Sequence, residues 1–371
     1  MRLGMYNVEN LFDRATAMNQ ETWKDGRQAL DDFHRLSVLT QKESYSDKDK
    51  AEMLTIMRRH KGLIKNGTST FLCLRENRGD FIKVPKKTPA VIVANGRGDW
   101  IGWFDLETES VKETSTENTA RVIKEINVDV LCVVEAEDRT ALKRFNRDVI
   151  PNVEYTSYDH VMLIDGNDER GIDVGIMTRK DYSIQQIASH VDDVDDKGII
   201  FSRDCPEYLV QTSAVNKLLV LINHFKSKGY GSPKTSNEKR MRQAKRVREI
   251  YEERLQEGYE FIAIAGDLNN APDSGGPLDP LLNGSGLLDV MSHSKFVGDD
   301  RPGTHGNGAK DAKFDYILMS PKLQGTVQKA GIERRGVWGG KNGTLFPHLP
   351  EIKSSMDAAS DHAALWVQLD I

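Results

Sequence analysis

The chain has 371 residues, enough for a sizeable core in one large domain or two ordinary ones. Hydrophobic residues at 38% and charged residues at 29% describe a globular chain and exclude a collagen-like or low-complexity one. The formal charge, 51 basic against 56 acidic side chains or −5, gives no whole-molecule attraction to nucleic acid, so any such binding must use local patches.

Met1 runs straight into Arg2-Leu3-Gly4-Met5-Tyr6-Asn7, with no apolar h-region and no small-residue cleavage site, so the expected location is the cytoplasm. No stretch approaches the roughly 18 apolar residues of a membrane span, so no stable membrane insertion is expected. Cys73, Cys132 and Cys205 are odd in number and far apart, which argues against a disulfide framework and a thiolate zinc site.

Arg2 to Val8 reads as a short strand leading through Asn7-Val8-Glu9-Asn10 into Leu11-Phe12-Asp13. Residues 14–117 differ in character. Leu30, Phe33, Leu36, Leu54 and Ile56 stand at loosely helical spacing in a polar stretch. Strand-like runs follow at 71–74, 81–84, 91–93 and 100–106, separated by the turn signals Asn77-Arg78-Gly79-Asp80 and Asn95-Gly96-Arg97-Gly98-Asp99, which read as hairpins. Within the last run, Trp100 and Phe104 are expected in the insertion's own small core, although the segment could also stack bases or touch a membrane.

From Thr116 the pattern changes. Asn118 to Asn127 reads as a helix with Ser115 or Thr116 as its cap. Val128 to Val134 is a buried strand ending in Glu135, Leu218 to Ile222 ends in Asn223-His224, and Phe261 to Gly266 ends at Asp267. Further strands are expected at 171–178, 207–214, 314–319 and 363–369, and a helix at 237–256. Polar residues waiting at strand ends suggest a layered α/β or α+β fold with one site at the strand termini. No internal repeat is visible.

Six segments concentrate metal-type and acid/base residues: Asn7-Val8-Glu9, Glu135-Ala136-Glu137, Asn223 to Lys228, Gly266-Asp267-Leu268-Asn269, Lys313-Phe314-Asp315-Tyr316, and Ser360-Asp361-His362. A single carboxylate at a strand end is usually just the first solvated residue. Asp315 is harder to dismiss, because it sits inside an apolar strand and an unpaired buried acid costs several kcal/mol. The weight lies in all six occurring together, each in or at the end of an apolar run.

In that order the segments resemble the endonuclease/exonuclease/phosphatase superfamily of metal-dependent phosphoesterases. The family's opening Asn-Val-Asp/Glu is similar to Asn7-Val8-Glu9, and its strand-end Glu to Glu135. Its Gly-Asp-Leu/Phe-Asn, Asp-Tyr-Ile/Phe-Leu and Ser-Asp-His resemble residues 266–269, 315–318 and 360–362. Glu135-Ala136-Glu137-Asp138-Arg139 and Arg170-Gly171-Ile172-Asp173-Val174 look like motifs of its bacterial nuclease-like branch. The resemblance covers about 1–13 and 118–371. Val134 stands where the family often has Gln, and Lys313-Phe314 where it often has Arg-Ile or Arg-Leu; neither change removes a ligand.

The resemblance implies a four-layer α/β sandwich, two packed mixed β-sheets flanked by helices, with an inserted α+β subdomain at 14–117. It implies Mg²⁺, or Mn²⁺, at Glu135 with help from Glu9 and Asp361, since all-oxygen ligands favour these ions over zinc. A water would be oriented or deprotonated by Asp267, with Asn269 beside it, while Asp315 and His362 form a dyad and His224 gives a second phosphate contact. Asn7 would orient a ligand or bind phosphate. Arg170, Asp173, Lys226 and Lys228 are candidate substrate contacts.

Residues Lys226 to Arg254 carry ten Lys/Arg and four Asp/Glu, 10 − 4 = +6, which could track a nucleic-acid backbone or form a solvated helix face. The run Asp192-Asp193-Val194-Asp195-Asp196 reads as a solvated loop. The leading expectation is a metal-dependent phosphodiesterase acting on DNA or RNA. The alternative is a phosphatase or phospholipase-type diesterase on a small ester or lipid headgroup. An inactive binding module is the third reading, disfavoured because Glu135, Asp267, Asn269, Asp315 and His362 are all present.

Overall fold

A computed structural model describes residues 1–11, 23–107, 113–168, 171–228, 232–273 and 275–371. The chain divides into two compact units, Met1–Phe12 with Val111–Ile371, and Asp13–Ser110.

The larger unit is built on two mixed sheets. From edge to edge, the seven-stranded sheet runs Phe296–Val297, Val327–Glu333, Ala364–Leu369, Arg2–Leu11, Val130–Ala136, Asp173–Thr178 and His160–Ile164. The six-stranded sheet runs Leu288–Asp289, Asp315–Met319, Ile262–Asp267, Lys217–His224, Glu207–Gln211 and Ile184–Ala188. Both central strand pairs, Arg2–Leu11 with Val130–Ala136 and Lys217–His224 with Ile262–Asp267, are parallel. Such strands are covered on both faces, which explains why their sequences read as near-continuous apolar runs.

The period of two along each strand sorts these runs into three cores. Val130, Cys132 and Val134 point between the sheets, where Leu3, Met5, Val220, Ile222, Ala263, Ala265 and Ile317 meet them. Leu131 and Val133 point outward onto Ala120, Ile123 and Ile126 of the helix Glu113–Ile126. On the far side, Leu219, Leu221, Ile262 and Ile264 pack on Ala244, Val247, Ile250 and Tyr251 of the helix Pro233–Gln256. Helix, sheet, sheet and helix make the four layers expected from the motifs. Each fully buried Val, Leu or Ile contributes about 1.5–3 kcal/mol of transfer free energy.

Helix boundaries differ from the sequence reading at both N-termini. The first starts at Glu113, so Ser115 and Thr116 lie in its first turn and do not cap it. The second starts at Pro233, four residues ahead of expectation, because the Ser232 side chain accepts from Thr235 N (3.2 Å) and Pro233 occupies the first turn, where its missing N–H costs nothing.

In the smaller unit the helices Trp23–Thr40 and Asp47–Arg59 share a core with Phe81, Trp100 and Phe104; Leu36, Leu39, Met53 and Ile56 supply their apolar faces. Ser46 and Asp49 form a reciprocal capping box at the second helix. The strands do not pair as consecutive hairpins. Leu72–Arg78 pairs antiparallel with Ile101–Leu106, and the short Ile82–Lys83 and Val91–Ile92 pair with each other between them. The aromatic contacts Phe81–Trp100 (4.3 Å) and Phe81–Phe104 (5.8 Å) favour this nested arrangement, since they draw residue 81 onto the last strand. Trp103, on the opposite face of that strand, is 45% exposed. No helix among the described residues is long and apolar enough to cross a membrane.

One glycine fixes how the six-stranded sheet ends. Gly266 has φ +144°, and a Cβ there would sit 1.9 Å from the Asn223 carbonyl oxygen on the neighbouring strand. Gly266→Ala is therefore expected to cost at least about 2 kcal/mol, read as a lower urea midpoint with an unchanged m value. An unchanged midpoint would show that the strand can shift at no cost.

Candidate active site

Strand register brings the expected residues to one end of the sandwich. In the six-stranded sheet His224 pairs with Asp267, and Asp267 pairs with Asp315, so three chemistry-bearing side chains stand abreast on three adjacent strands. In the other sheet Asn7 pairs with Val134, which sets it beside Glu135.

The Asn7 amide joins the two sheets. It is fully buried, and its Nδ2 donates to Glu135 Oε1 (3.1 Å) and to Asp267 Oδ2 (3.2 Å). Its Oδ1 accepts from Glu9 N (3.0 Å), and its backbone carbonyl accepts from Ser360 Oγ (2.8 Å). The Glu9 carboxylate in turn accepts from Asp361 N (2.8 Å). Asn7-Val8-Glu9 and Ser360-Asp361-His362, some 350 residues apart in sequence, are thus one hydrogen-bonded unit.

Glu135 interrupts the pairing of its strand with both neighbours between Val134 and Ala136 and has φ +69°. Such a bulge re-aims a side chain that the pleat would otherwise direct into a core. Glu9 (φ 46°) and Asn269 (φ 51°) are left-handed too, so three of the site's residues hold a backbone conformation that costs free energy. Asn269 N donates to Asp267 Oδ1 (2.8 Å), closing a tight turn after the strand. Its Nδ2 donates to the Phe225 carbonyl (3.2 Å).

Buried His362 hydrogen-bonds through Nδ1 to fully buried Asp315 Oδ2 (2.8 Å). Its Nε2 lies 3.8 Å from Asp267 Oδ2 and 3.5 Å from Asp361 Oδ1. His224 Nε2 lies 3.7 Å from Glu135 Oε1 and 3.8 Å from Asp267 Oδ2. Burial works against a charge on His362, but Asp315, then Asp267 and Asp361, outweigh it and hold the imidazole well above its ordinary pKa. Asp267 is raised to about 7 by burial; the His362 charge opposes this, while Asp315 and Glu135 add to it. Glu9 is raised to about 7 as well, by desolvation and then by the Asp361 charge.

Carboxylates that raise one another's proton affinity form a site short of positive charge. Among the described residues the Glu9, Glu135 and Asp361 oxygens, which the resemblance implies as a metal set, do not form one cluster; the clusters of ligand-type atoms at this end of the sandwich are mixed carboxylate and imidazole. Glu135, His224 and Asp267 bring ligand-type atoms within 4.8 Å of one another.

The outlying candidates fare differently. Arg170 lies outside the described residues. Asp173 is buried and accepts from Gly166 N (2.9 Å), so it secures its own loop and is not turned to a substrate as expected. Lys226 is tied through its backbone, to the Gln243 side chain and Arg240. Lys228 is exposed, with its ammonium 4.7 Å above the Phe314 ring.

The basic helix is largely neutralised by the protein itself. Arg242 pairs with Asp195, Arg246 with Asp193 (2.6 Å), Arg248 with Glu252 (2.5 Å) and Arg254 with Glu207 (2.8 Å). The acidic run at 192–196 is therefore a partner of the helix and not a free solvated loop.

Two residues of the site were not singled out from sequence. His305 Nε2 lies 3.1 Å from Asp361 Oδ2, and its ring stacks on Phe314. Buried Arg203 donates to the same Phe225 carbonyl that Asn269 reaches and pairs with Asp168 (2.8 Å). His305 stands ten residues before the Asp315 strand, a faint signal; nothing in its neighbours marks Arg203.

The comparisons with known proteins supply the class. The chain belongs to the Endonuclease/Exonuclease/phosphatase family, whose description covers phosphoesterases and whose model matches residues 68–284. No curated protein sequence matches it. Among solved structures, a mannosyl-6-phosphatase of Bacteroides thetaiotaomicron is similar at TM-score 0.52 and 17% identity, over 69% of this chain and 91% of that one. An endonuclease/exonuclease/phosphatase family protein of the same organism is similar at 0.50 and 16%, over 69% and 89%. Truncated TDP2 of Caenorhabditis elegans gives 0.49 and 17%, over 70% and 91%. At these identities the likeness is one of fold.

Asp315→Asn should lower the His362 pKa, read by NMR titration of the imidazole. In the wild type the raised pKa stabilises the fold fully below about pH 6.5, the unfolded value, and that contribution fades as pH rises through the folded value. The wild-type advantage over Asp315→Asn should shrink accordingly at alkaline pH. An imidazole titrating identically in both proteins would remove Asp315 from this role.

Proposed function

We propose that the protein is a divalent-metal-dependent phosphodiesterase that cleaves nucleic-acid strands with a water nucleophile. The observation that carries this reading is the placing of an imidazole and a carboxylate side by side at the strand ends, His362 Nε2 and Asp267 Oδ2, 3.8 Å apart. One holds a proton and the other can take one.

Hydrolysis must overcome repulsion between an anionic ester and incoming hydroxide, a demand of order 20 kcal/mol for the slowest such reactions. Glu135, with Glu9 and Asp361, would hold the cation, Mg²⁺ or Mn²⁺. When bound it supplies neutralising charge to the phosphate and the departing oxygen. Asp267 orients the water and accepts its proton; Asn269 N fixes its Oδ1, and its Oδ2, which also accepts from Asn7 Nδ2, stands beside His362. His362, with Nδ1 engaged by Asp315, keeps its proton at Nε2 against the phosphate. His224 provides the second imidazole contact and Asn7 keeps the two carboxylates in register.

A second reading, hydrolysis of a small phosphate ester, is favoured by the internal pairing of the helix arginines, which removes much of the positive surface a long polyanion would use. The two readings separate on supercoiled plasmid, bis(4-nitrophenyl) phosphate and 4-nitrophenyl phosphate, each with Mg²⁺ or EDTA. Nicking that needs Mg²⁺ and falls at least about 10³-fold in His362→Ala supports the nuclease. Turnover of the monoester with intact plasmid would overturn it in favour of the phosphatase.

Metal removal carries its own expectation. Asp267 and Glu9 bind protons more tightly in the folded state, so the metal-free protein loses stability as pH rises from about 4, the unfolded value, through about 7. A cation offsets that loss. Mg²⁺ should therefore raise Tm more at pH 8 than at pH 6, with EDTA reversing the gain. Equal shifts at both pH values would contradict the assignment of these carboxylates to the cation's surroundings.

A further inference from the structure

The structure assigns a second cation site, selective for a borderline-soft ion such as Zn²⁺, to His305, Asp361 and His362, where occupancy silences the enzyme. His305 takes no part in the chemistry proposed above. Its Nε2 lies 3.1 Å from Asp361 Oδ2, while His362 Nε2 lies 3.5 Å from Asp361 Oδ1. One carboxylate is thus flanked by an imidazole on each side, and the three ligand-type atoms fall within 4.8 Å of one another. Tetrahedral zinc with bonds of about 2.0–2.1 Å places its ligand atoms about 3.4 Å apart, so one ligand atom from each residue, now within 4.8 Å of the others, must close by up to about 1.4 Å. Two nitrogens and a carboxylate favour zinc over magnesium, which prefers oxygen ligands and retains its waters.

Three further features fit metal binding. Asp315 bonds the far nitrogen of His362 at 2.8 Å, the outer carboxylate that commonly orients a metal-binding imidazole. The two histidines are held opposite each other by backbone: they form an isolated antiparallel bridge, with Gly306 N donating to the Asp361 carbonyl (2.7 Å) and Ala363 N to the Thr304 carbonyl (2.8 Å). The His305 ring is also stacked on Phe314 at 5.1 Å, which restricts its rotamer. Access is open, because His305 is 35% and Asp361 48% exposed while His362 is enclosed.

The consequence for turnover rests on the phosphodiesterase reading. An ion on His362 Nε2 occupies the position where that imidazole would hold its proton, and it draws Asp361 away from Glu9 and Glu135. The binding itself does not depend on that reading.

The test is calorimetric titration of the full chain with Zn²⁺ in millimolar Mg²⁺, with Co²⁺ visible absorption as an independent probe of ligand geometry. Wild type should bind one Zn²⁺ at this site, and His305→Ala should weaken it at least tenfold. His305→Phe keeps a ring over Phe314 but has no ligating nitrogen, and should behave like the alanine variant if packing is not the cause. Each variant's remaining Mg²⁺-supported hydrolysis should resist Zn²⁺ inhibition by the same factor as its loss of Zn²⁺ affinity. Equal Zn²⁺ affinity in wild type and both variants, or no binding in wild type, overturns the site. Binding that depends on His305 in a protein without phosphodiesterase activity would keep the site and reject only the catalytic reading.

Discussion

Everything at the active end depends on bringing carboxylates from two sheets together, two of them out of reach of water. Asp267 and Asp315 are nearly or wholly buried, and Glu9, Glu135 and Asp361 surround them. Left alone, such a group would repel and take up protons. Asn7 answers part of this by donating from one nitrogen to Glu135 on its own sheet and Asp267 on the other. The His362 charge answers another part, lying between Asp315 and Asp267. The remaining imbalance is what makes a divalent cation a natural occupant. A site built this way holds its shape because every member needs its neighbours, and it is poised to accept positive charge for the same reason.

The backbone bears a cost for this arrangement. Glu9, Glu135 and Asn269 adopt left-handed φ values, each where a strand ends or is interrupted. These costs are offset by the three cores that sandwich the strands, in which long runs such as Val130–Val134 are wholly buried. The rigid layers set the frame, and the strained residues turn side chains out of it toward one another. Gly266 belongs to the same logic: its missing Cβ lets the Asp267 strand approach the His224 strand closely enough for the two functional side chains to pair.

Away from the site, charge is spent internally. The long helix Pro233–Gln256 is rich in arginine, but Asp193, Asp195 and Glu207 reach it from other elements and pair with three of those arginines. Arg240 is buried, donating to the Lys226 carbonyl (2.7 Å) and thereby holding the strand-end segment after His224. The helix therefore braces the loop beside the site as much as it presents positive charge to solvent.

The linear sequence was most informative where chemistry and periodicity are local. Apolar runs of alternating facing, each ending in a polar residue, marked the strands carrying Glu135, His224, Asp267 and Asp315, and their motifs marked the family and the layered fold. Lys313 to Tyr316 announced a paired acid, because an unpaired one could not be buried there. Contacts between distant segments were not legible. The acidic run at 192–196 looked solvated because its arginine partners lie about 50 residues away. Asp173 looked like a substrate contact because nothing in sequence reveals that Gly166 N would take its carboxylate. The nested strand pairing of the smaller unit is not legible in its turns, because turn residues show where a chain reverses, not which strand it meets. His305 was invisible because its meaning comes only from Asp361, 56 residues on. Strand identity and the metal-type residues follow from local hydrophobic pattern and side-chain type, and the class of chemistry from the resemblance their motifs carry. Which carboxylates lie beside one another, which cations are already paired and which histidine joins the site follow only from tertiary structure, because electrostatic energies depend on separation in space and not on distance along the chain.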